Sequence, residues 1–483
     1  MTSGRGRRYS PILAGMAAIG WFLLAQSPDV QADPLAYVPG EELPGGKSTS
    51  RRSAKNANAF SHASGNISFE REFNFKIGNG IFRKLWVSAP ASTNSSDGLG
   101  PLYNARACQR CHLKDGRGHP PENLSDNAVS MLLRIGIPSS DDSPPVKPDP
   151  VYGGQLQDFS IQGHKPEARI ELDYEEFAVE LSGGEAVMLR RPRLKLADLA
   201  YGPMHRDAKL SARIANQMIG LGLLEAISAS DIVANADPED ADGDGISGRP
   251  NMVTNLEAGM VEPGRFGWKA GQPTVRQQSA AAFSGDMGLS TSLIKPAAGD
   301  CTEPQAACLE AMSGADPAKG NVEVPDEMLD LVAFYARNLA VPKRSDAQSD
   351  QVLAGKTLFS AAGCTACHVP SFRTMDSRDV APEQRAQTIW PYTDLLLHDM
   401  GDGLADGLPE GQALGREWRT APLWGIGATE TVSGHTLFLH DGRARNLTEA
   451  ILWHGGEAQA ARDAFAAMTP KERADLIAFV NSL

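Results

Sequence analysis

Two five-residue runs constrain this chain more than anything else in it: Cys108-Gln-Arg-Cys111-His112 and Cys364-Thr-Ala-Cys367-His368. A C-x-x-C-H run is the attachment signature of c-type haem. Its two thiols reach the two vinyl groups of one porphyrin, and the adjoining imidazole ligates the iron. The runs predict two covalently held haem c groups, with His112 and His368 as proximal iron ligands. A zinc ribbon built from C-x-x-C pairs is the competing reading, and it gives the two trailing histidines no role. With 6 cysteines and 10 histidines in 483 residues, two chance occurrences of the pattern are remote. Cys301 and Cys308 are left over. They read as a disulfide closing a short loop or as a redox-active pair, and no basic cluster beside either thiol argues for activation.

The N-terminus suits that chemistry. Arg5, Arg7 and Arg8 precede a mostly apolar stretch from Pro11 to Ala25, and Val30-Gln31-Ala32 is a small-residue cleavage site before Asp33. This predicts a signal peptide over 1–32 and a periplasmic chain. An uncleaved anchor is the alternative, although an apolar stretch of about 15 residues falls short of the ~20 that span a bilayer. No other segment is apolar enough to span, so no membrane span is expected after cleavage. Lys+Arg 46 against Asp+Glu 59 gives a net charge of −13. With no long basic run to neutralise phosphates, nucleic acid is excluded as an expected partner. The acidic balance favours a basic electron donor.

A repeat links the two runs. Leu102-Tyr-Asn-Ala105 leads into Cys108 as Leu358-Phe-Ser-Ala361 leads into Cys364. Downstream, Pro325 to Phe334 matches Pro470 to Phe479, each with proline at a helix start, acid in the first turn and apolar residues at helical spacing. Thr469 and Glu472 form a capping box. The repeated unit predicts a mainly α fold of two cytochrome c-like domains. His112 to Asp330 spans 218 positions and His368 to Asp475 spans 107, so the first domain is enlarged by about 111 residues. The expected organisation is a polar N-terminal arm over 33–60, an N-terminal haem domain over 61–342, a linker over 343–349 and a C-terminal haem domain over 350–483. Within the insertion, 168–174 and 177–181 alternate like strands, giving the first domain some β structure. Leu210 to Ile227 reads as helical, and 138–150 as a proline-rich loop.

Asp240-Ala-Asp242-Gly-Asp244-Gly245 matches the first half of a calcium loop, with Asn251 where a twelfth-position acid belongs. It reads as a possible Ca²⁺ site or as a solvated acidic turn.

The C-terminal half resembles the second domain of bacterial di-haem cytochrome c peroxidases. The matching pieces are His398-Asp-Met400-Gly401, Pro422-Leu-Trp424, His440-Asp-Gly442 and Leu447-Thr-Glu449-Ala-Ile-Leu-Trp-His454, in order over about 110 residues. The whole chain resembles the di-haem oxidoreductase family often labelled thiol oxidoreductase or peroxidase. That likeness rests on Gly100 to Arg106 before the first motif, Asp115-Gly-Arg117-Gly after it, the 240–251 segment and Leu452-Trp-His454-Gly-Gly. It implies an exported haem oxidoreductase, peroxidase-like, in which the C-terminal haem relays electrons to a peroxide-reactive N-terminal haem. An electron-donor protein, a small cytochrome or cupredoxin, and hydrogen peroxide or another small oxidant are the implied partners.

The family's axial methionine falls on His454 here, so the C-terminal iron is expected between His368 and His454, with Met400 as the rival ligand. For the N-terminal iron, His119, His164 and His205 are distal candidates. A distal glutamate that moves the peroxide proton in the peroxidases corresponds best to Glu167, with Gln155 and Gln157 as hydrogen-bond donors. Arg416, Arg419 and Arg443 are candidates for haem propionates, and Trp418 and Trp424 for electron relay or core packing. The alternatives to a peroxidase are a non-catalytic electron-transfer cytochrome and a haem oxygenase or partner-protein-modifying enzyme. Dithiol chemistry is disfavoured, because four of the six thiols are taken by haem.

Overall fold

Four helices set the frame: α1 (Phe69–Phe82), α2 (Asp326–Arg337), α3 (Asp350–Ala361) and α4 (Pro470–Ser482). The computed structural model describes residues 1, 37–52, 55–93, 95–122, 130–139 and 146–483. Apart from Met1, the expected signal peptide lies outside them, as does part of the 138–150 loop. Local sequence starts each helix. The Ser68 and Ser349 side chains accept from the backbone N–H of Arg71 and Val352, and Thr469 with Glu472 closes a capping box.

α1 packs across α2, and α3 across α4. A glycine closes each crossing: a Cβ on Gly78 would run into the Leu331 carbonyl, and one on Gly355 into the Asp475 carbonyl. Aromatic and aliphatic side chains fill the space around each contact. Phe75 and Phe82 meet Leu329, Val332 and Tyr335 in one cluster; Phe359 meets Leu476 and Phe479 in the other. Each fully buried side chain of this kind contributes roughly 1.5–3 kcal/mol.

The expectation of a mainly α fold is overturned. Among the described residues, helix accounts for 28% and strand for 19%, the strand spread over several small sheets. Most strand lies between the first haem motif and α2: β1 (Met131–Pro138), β2 (Arg169–Leu181), β3 (Glu185–Ala197) and β4 (Lys209–Ile214). β4 pairs antiparallel with β1 from Met131↔Ile214 to Gly136↔Lys209, and Gln155–Leu156 also pairs with β1. The helix expected over Leu210 to Ile227 is therefore a strand followed by a short helix, Leu221–Glu225. Leu210, Ala212 and Ile214 alternate with Ser211 and Arg213, a period of two that outweighs the apolar count. β2 and β3 form one long ribbon, from Arg169↔Ala197 to Leu181↔Glu185. It leans on the second half of the chain, where Phe177 meets Trp453 edge-on at 5.6 Å and the Arg190 Nε donates to the Arg443 carbonyl at 2.8 Å.

Pro34–Leu483 forms one compact unit. The 37–52 stretch is packed against it: Ser48, Thr49 and Ser50 are buried, and the Ser50 N–H donates to the Val341 carbonyl at 2.8 Å. Cys301 and Cys308 are joined in a disulfide. No helix among the described residues is long and apolar enough to cross a membrane.

Candidate functional site

The first C-x-x-C run is a single helical turn, Cys108–Cys111, with His112 just past its end. The His112 Nδ1–H donates to the Asn216 carbonyl at 2.7 Å, and the Phe82 ring of α1 stands 6.3 Å away. Fixing Nδ1 sets the tautomer and leaves Nε2 as the basic atom, the arrangement of a metal-ligating histidine. Burial holds the imidazole below its ordinary pKa and therefore neutral. Burial also pushes the Cys108 thiol up to about 12, so neither this thiol nor Cys111, which is raised too, is an activated nucleophile.

His112 faces a cavity of about 280 Å³. Its far wall is one face of the sheet. Met131, Leu133 and Ile135 of β1 point into the core, while Leu132 and Arg134 line the cavity, joined by their register partners Arg213 and Gln155. Strand alternation thus turns a charged stripe in an apolar strand into a polar wall. The helix Val275–Met287 adds Asp286, and the second half of the chain adds Glu410, Arg419 and Trp424. Arg134 donates to the Gln155 Oε1 at 3.1 Å, and the Gln155 Nε2 donates to Asp286 at 2.8 Å. Burial pushes the Asp286 carboxyl up. Arg213 pairs with Glu410. Burial opposes ionisation of Glu410, but Arg213, Arg134 and Lys269 draw it down to about 2. Arg117 and Arg419 donate only to backbone carbonyls, and burial lowers each to about 10.

The second run differs in its surroundings. Cys364–Ala366 is a 3-10 turn, and the His368 Nδ1–H donates to the Tyr392 carbonyl at 2.9 Å. Phe359 of α3 stands 6.1 Å from the imidazole. Burial lowers His368 to about 4, and the neighbouring His454 adds to the shift, which places the two rings within electrostatic reach. His454 follows the helix Leu447–Leu452, and its Nδ1–H donates to the Ala450 carbonyl at 2.8 Å. Both imidazoles therefore present Nε2, which has no hydrogen-bond partner among the described residues. Met400 packs in the same core. His398 lies beside Cys367 Sγ at 3.6 Å and donates to Asp394 at 2.8 Å and Glu457 at 2.7 Å. Burial opposes its charge, but these partners push it up to about 12, a buried imidazolium.

The residues at both runs fit haem c. Each offers two unpaired-by-disulfide thiols and a neutral imidazole with Nε2 exposed to the interior. Around the N-terminal cavity, Arg117, Arg134, Arg213, Arg265 and Arg419 face only two carboxylates, Asp286 and Glu410. That cationic excess suits a group carrying two propionates.

Other expected site residues fall elsewhere. Glu167 does not line the cavity: it is 1% exposed, accepts from the Gln157 backbone N–H at 2.6 Å and from the Gln305 amide, and burial raises it to about 8. Gln155 lines the cavity and Gln157 does not. His112 is the one histidine among its lining residues; His119 stacks edge-on with His435, and His164 and His205 lie in half-exposed loops. Of the propionate candidates, only Arg419 reaches the cavity. Arg416 pairs with Asp399 and Asp402 at the surface, and Arg443 with buried Asp441. Trp424 lines the cavity, and Trp418 stacks on His440 at 3.8 Å. In the acidic loop, carboxylates of Asp240 and Asp242 gather with Asp237, within 4.8 Å, while Asp244 accepts from the Ile246 N–H. Asn251 is turned inward, donating to the Lys269 and Glu410 carbonyls. The reading from sequence missed Arg134, Arg213, Asp286 and Glu410. Arg134 and Arg213 carried a signal, as lone charges at alternate positions of apolar strands; Asp286 and Glu410 carried none.

The sequence model of a family described as "Di-haem oxidoreductase, putative peroxidase" matches residues 37–136 and 153–483, most of the chain. No curated protein matches it.

Proposed function

The chain belongs to the di-haem oxidoreductase family, and from that premise we propose that it is an exported, periplasmic peroxidase-like enzyme. Its N-terminal haem c meets a small oxidant such as hydrogen peroxide, and its C-terminal haem c passes electrons to it. The observation that carries this reading is the contrast across the two proximal histidines. His112 looks onto a cavity with a polar wall and no second histidine among its lining residues, while His368 has the buried His454 near enough to lower its pKa.

A haem held by His112 would supply the redox chemistry needed to reduce an O–O bond. The protein's part is to hold the substrate and move protons. Arg134 and Arg213 present N–H groups into the cavity, placed to stabilise negative charge on a departing oxygen. Gln155, fixed by Arg134 and Asp286, orients the substrate. Asp286, raised by burial, can hold a proton at its carboxyl and return it, which is general acid–base work. Reduction of one peroxide takes up two electrons and two protons and releases two waters. The His112 Nδ1–H bond to Asn216 keeps the ligand ring in place throughout.

Optical and EPR spectra of the purified holoprotein, with and without peroxide, test the reading. One high-spin and one low-spin haem, with peroxide consumed in the presence of a reductant, is the expected result. Two low-spin haems inert to peroxide would make the protein an electron carrier instead.

A further inference from the structure

A surface groove of about 710 Å³ runs between residues 43–52 with Lys55 and residues 343–346. Its lining carries Lys47, Arg51, Arg52, Lys55, Lys343 and Arg344 against a single acid, Asp346. This is the reverse of the whole chain, whose net charge is −13. Lys47, Arg51, Arg52 and Lys343 are exposed and make no ion pair among the described residues. Glu41 pairs with Arg344, and Lys343 acts on Glu42; the remaining clustered cations repel one another, which an anionic partner would relieve.

The groove is joined to the C-terminal site through packed side chains. Arg344 lies at its floor, bonds the Ser482 hydroxyl of α4 at 2.9 Å and covers the Phe479 ring at 5.4 Å. Phe479 packs on Phe359 at 5.3 Å and on Tyr392 at 5.6 Å. Phe359 flanks His368, and the Tyr392 carbonyl holds its Nδ1–H. These rings form a continuous packed path from the groove to the His368 side of the site.

We infer that the groove docks the acidic face of an electron-donor protein, which delivers electrons to the C-terminal haem. This rests on the di-haem reading. The donor centre would give up one electron per encounter to the haem that His368 would hold, and two such transfers match the two electrons that peroxide takes up. Net charge alone points to a basic donor, but docking follows the local field, and here the local field is positive.

The test uses holoprotein and an R51E/K343E variant, with an acidic cupredoxin as probe. Binding of its redox-inert zinc form is measured by calorimetry at low and high salt. Reduction by its copper form, and by neutral hydroquinone, is followed by stopped flow. The expected result is binding that weakens with salt and falls about ten-fold or more in the variant. Reduction by cupredoxin should slow in parallel while the hydroquinone rate stays unchanged. Failure of the wild type to bind the cupredoxin, equal affinity in the variant, or tighter binding of a basic cytochrome c each overturns the inference. So does binding of inorganic phosphate or anionic phosphatidylglycerol vesicles that R51E/K343E abolishes while cupredoxin binding persists. Absence of covalent haem in the purified protein would instead sink the functional reading, and the zinc-cupredoxin measurement would still report on the groove.

Discussion

At His112 and at His368 the chain builds the same half of a site twice. Each imidazole donates Nδ1–H to a backbone carbonyl, each has a phenylalanine from the preceding helix beside it, and each lies near a helix crossing closed by a glycine. The other halves diverge. Beyond His112 stands a sheet wall of Arg134, Gln155 and Arg213, supplied by the insertion, with Glu410 from the second half of the chain. Beyond His368 stands His454, just past the helix Leu447–Leu452 of the second half itself. An imidazole that can take the sixth position of an iron closes it to substrate, whereas guanidinium and amide groups around a cavity leave it open. In the proposed peroxidase, the inserted strands would be what converts one of two similar sites into a reactive one.

The largest effects should come from breaking that contrast. His112→Ala should reduce peroxide turnover to below about one per cent of wild type, because the ligand that anchors the reactive iron is gone. Retained turnover would move the reactive site to the C-terminal haem. His454→Ala should do the opposite, opening the closed site. A carbon monoxide titration of the ferrous wild type should give one equivalent bound per chain and that of the variant two. Two equivalents bound by the wild type would show that His454 does not hold the sixth position.

How much of this was legible in the sequence follows the same division. The shared halves were legible: thiol spacing, the trailing histidines, the capping box and the repeated helix starts are all local signals, and His454 lies a fixed step from its helix. The open site was hidden because its parts come from four separated segments. Strand pairing Leu132↔Arg213 and Arg134↔Gln155 decides which side chains face the cavity, and register is a property of the folded sheet. The mainly α expectation failed for the same reason. Leu210 to Ile214 is apolar enough for a helix, but its period is two. Glu167 follows His112 by 55 residues, as a distal glutamate of the resembled peroxidases would, but distance along the chain says nothing about which cavity a carboxyl faces.

Arg213→Gln should have an intermediate effect, lowering kcat/KM for peroxide by about 10–100-fold through loss of a charged donor at the cavity wall. It also leaves Glu410 without its closest partner. Glu410 has a folded pKa of about 2 against an ordinary 4.5. Its stabilising contribution is therefore present above pH ~4.5 and lost as pH falls through about 2. In Arg213→Gln that contribution shrinks, so urea unfolding at pH 7 should show lower stability and a weaker fall between pH 4.5 and 2. An acid profile identical to wild type would mean that Arg134 and Lys269 hold Glu410 by themselves.

The smallest effect belongs to Glu167→Gln, and it bears on whether the wall acts alone. Glu167 lies outside the cavity lining and ties the Gln157 backbone to Gln305. Burial raises its pKa from 4.5 to about 8. For a carboxyl raised in the folded state, the favourable contribution is complete below pH ~4.5 and disappears as pH rises through about 8, because ionisation in the folded protein is opposed. Glutamine keeps the shape, an acceptor and a donor, and cannot ionise. The variant should therefore hold peroxide turnover within about two-fold of wild type and lose the decline in stability between pH 4.5 and 8, a difference read by urea unfolding across that range. A steep loss of turnover with an unchanged pH–stability profile would instead carry the acid–base step through Glu167, and the reactive half of the site would then extend a layer deeper than the residues that line its cavity.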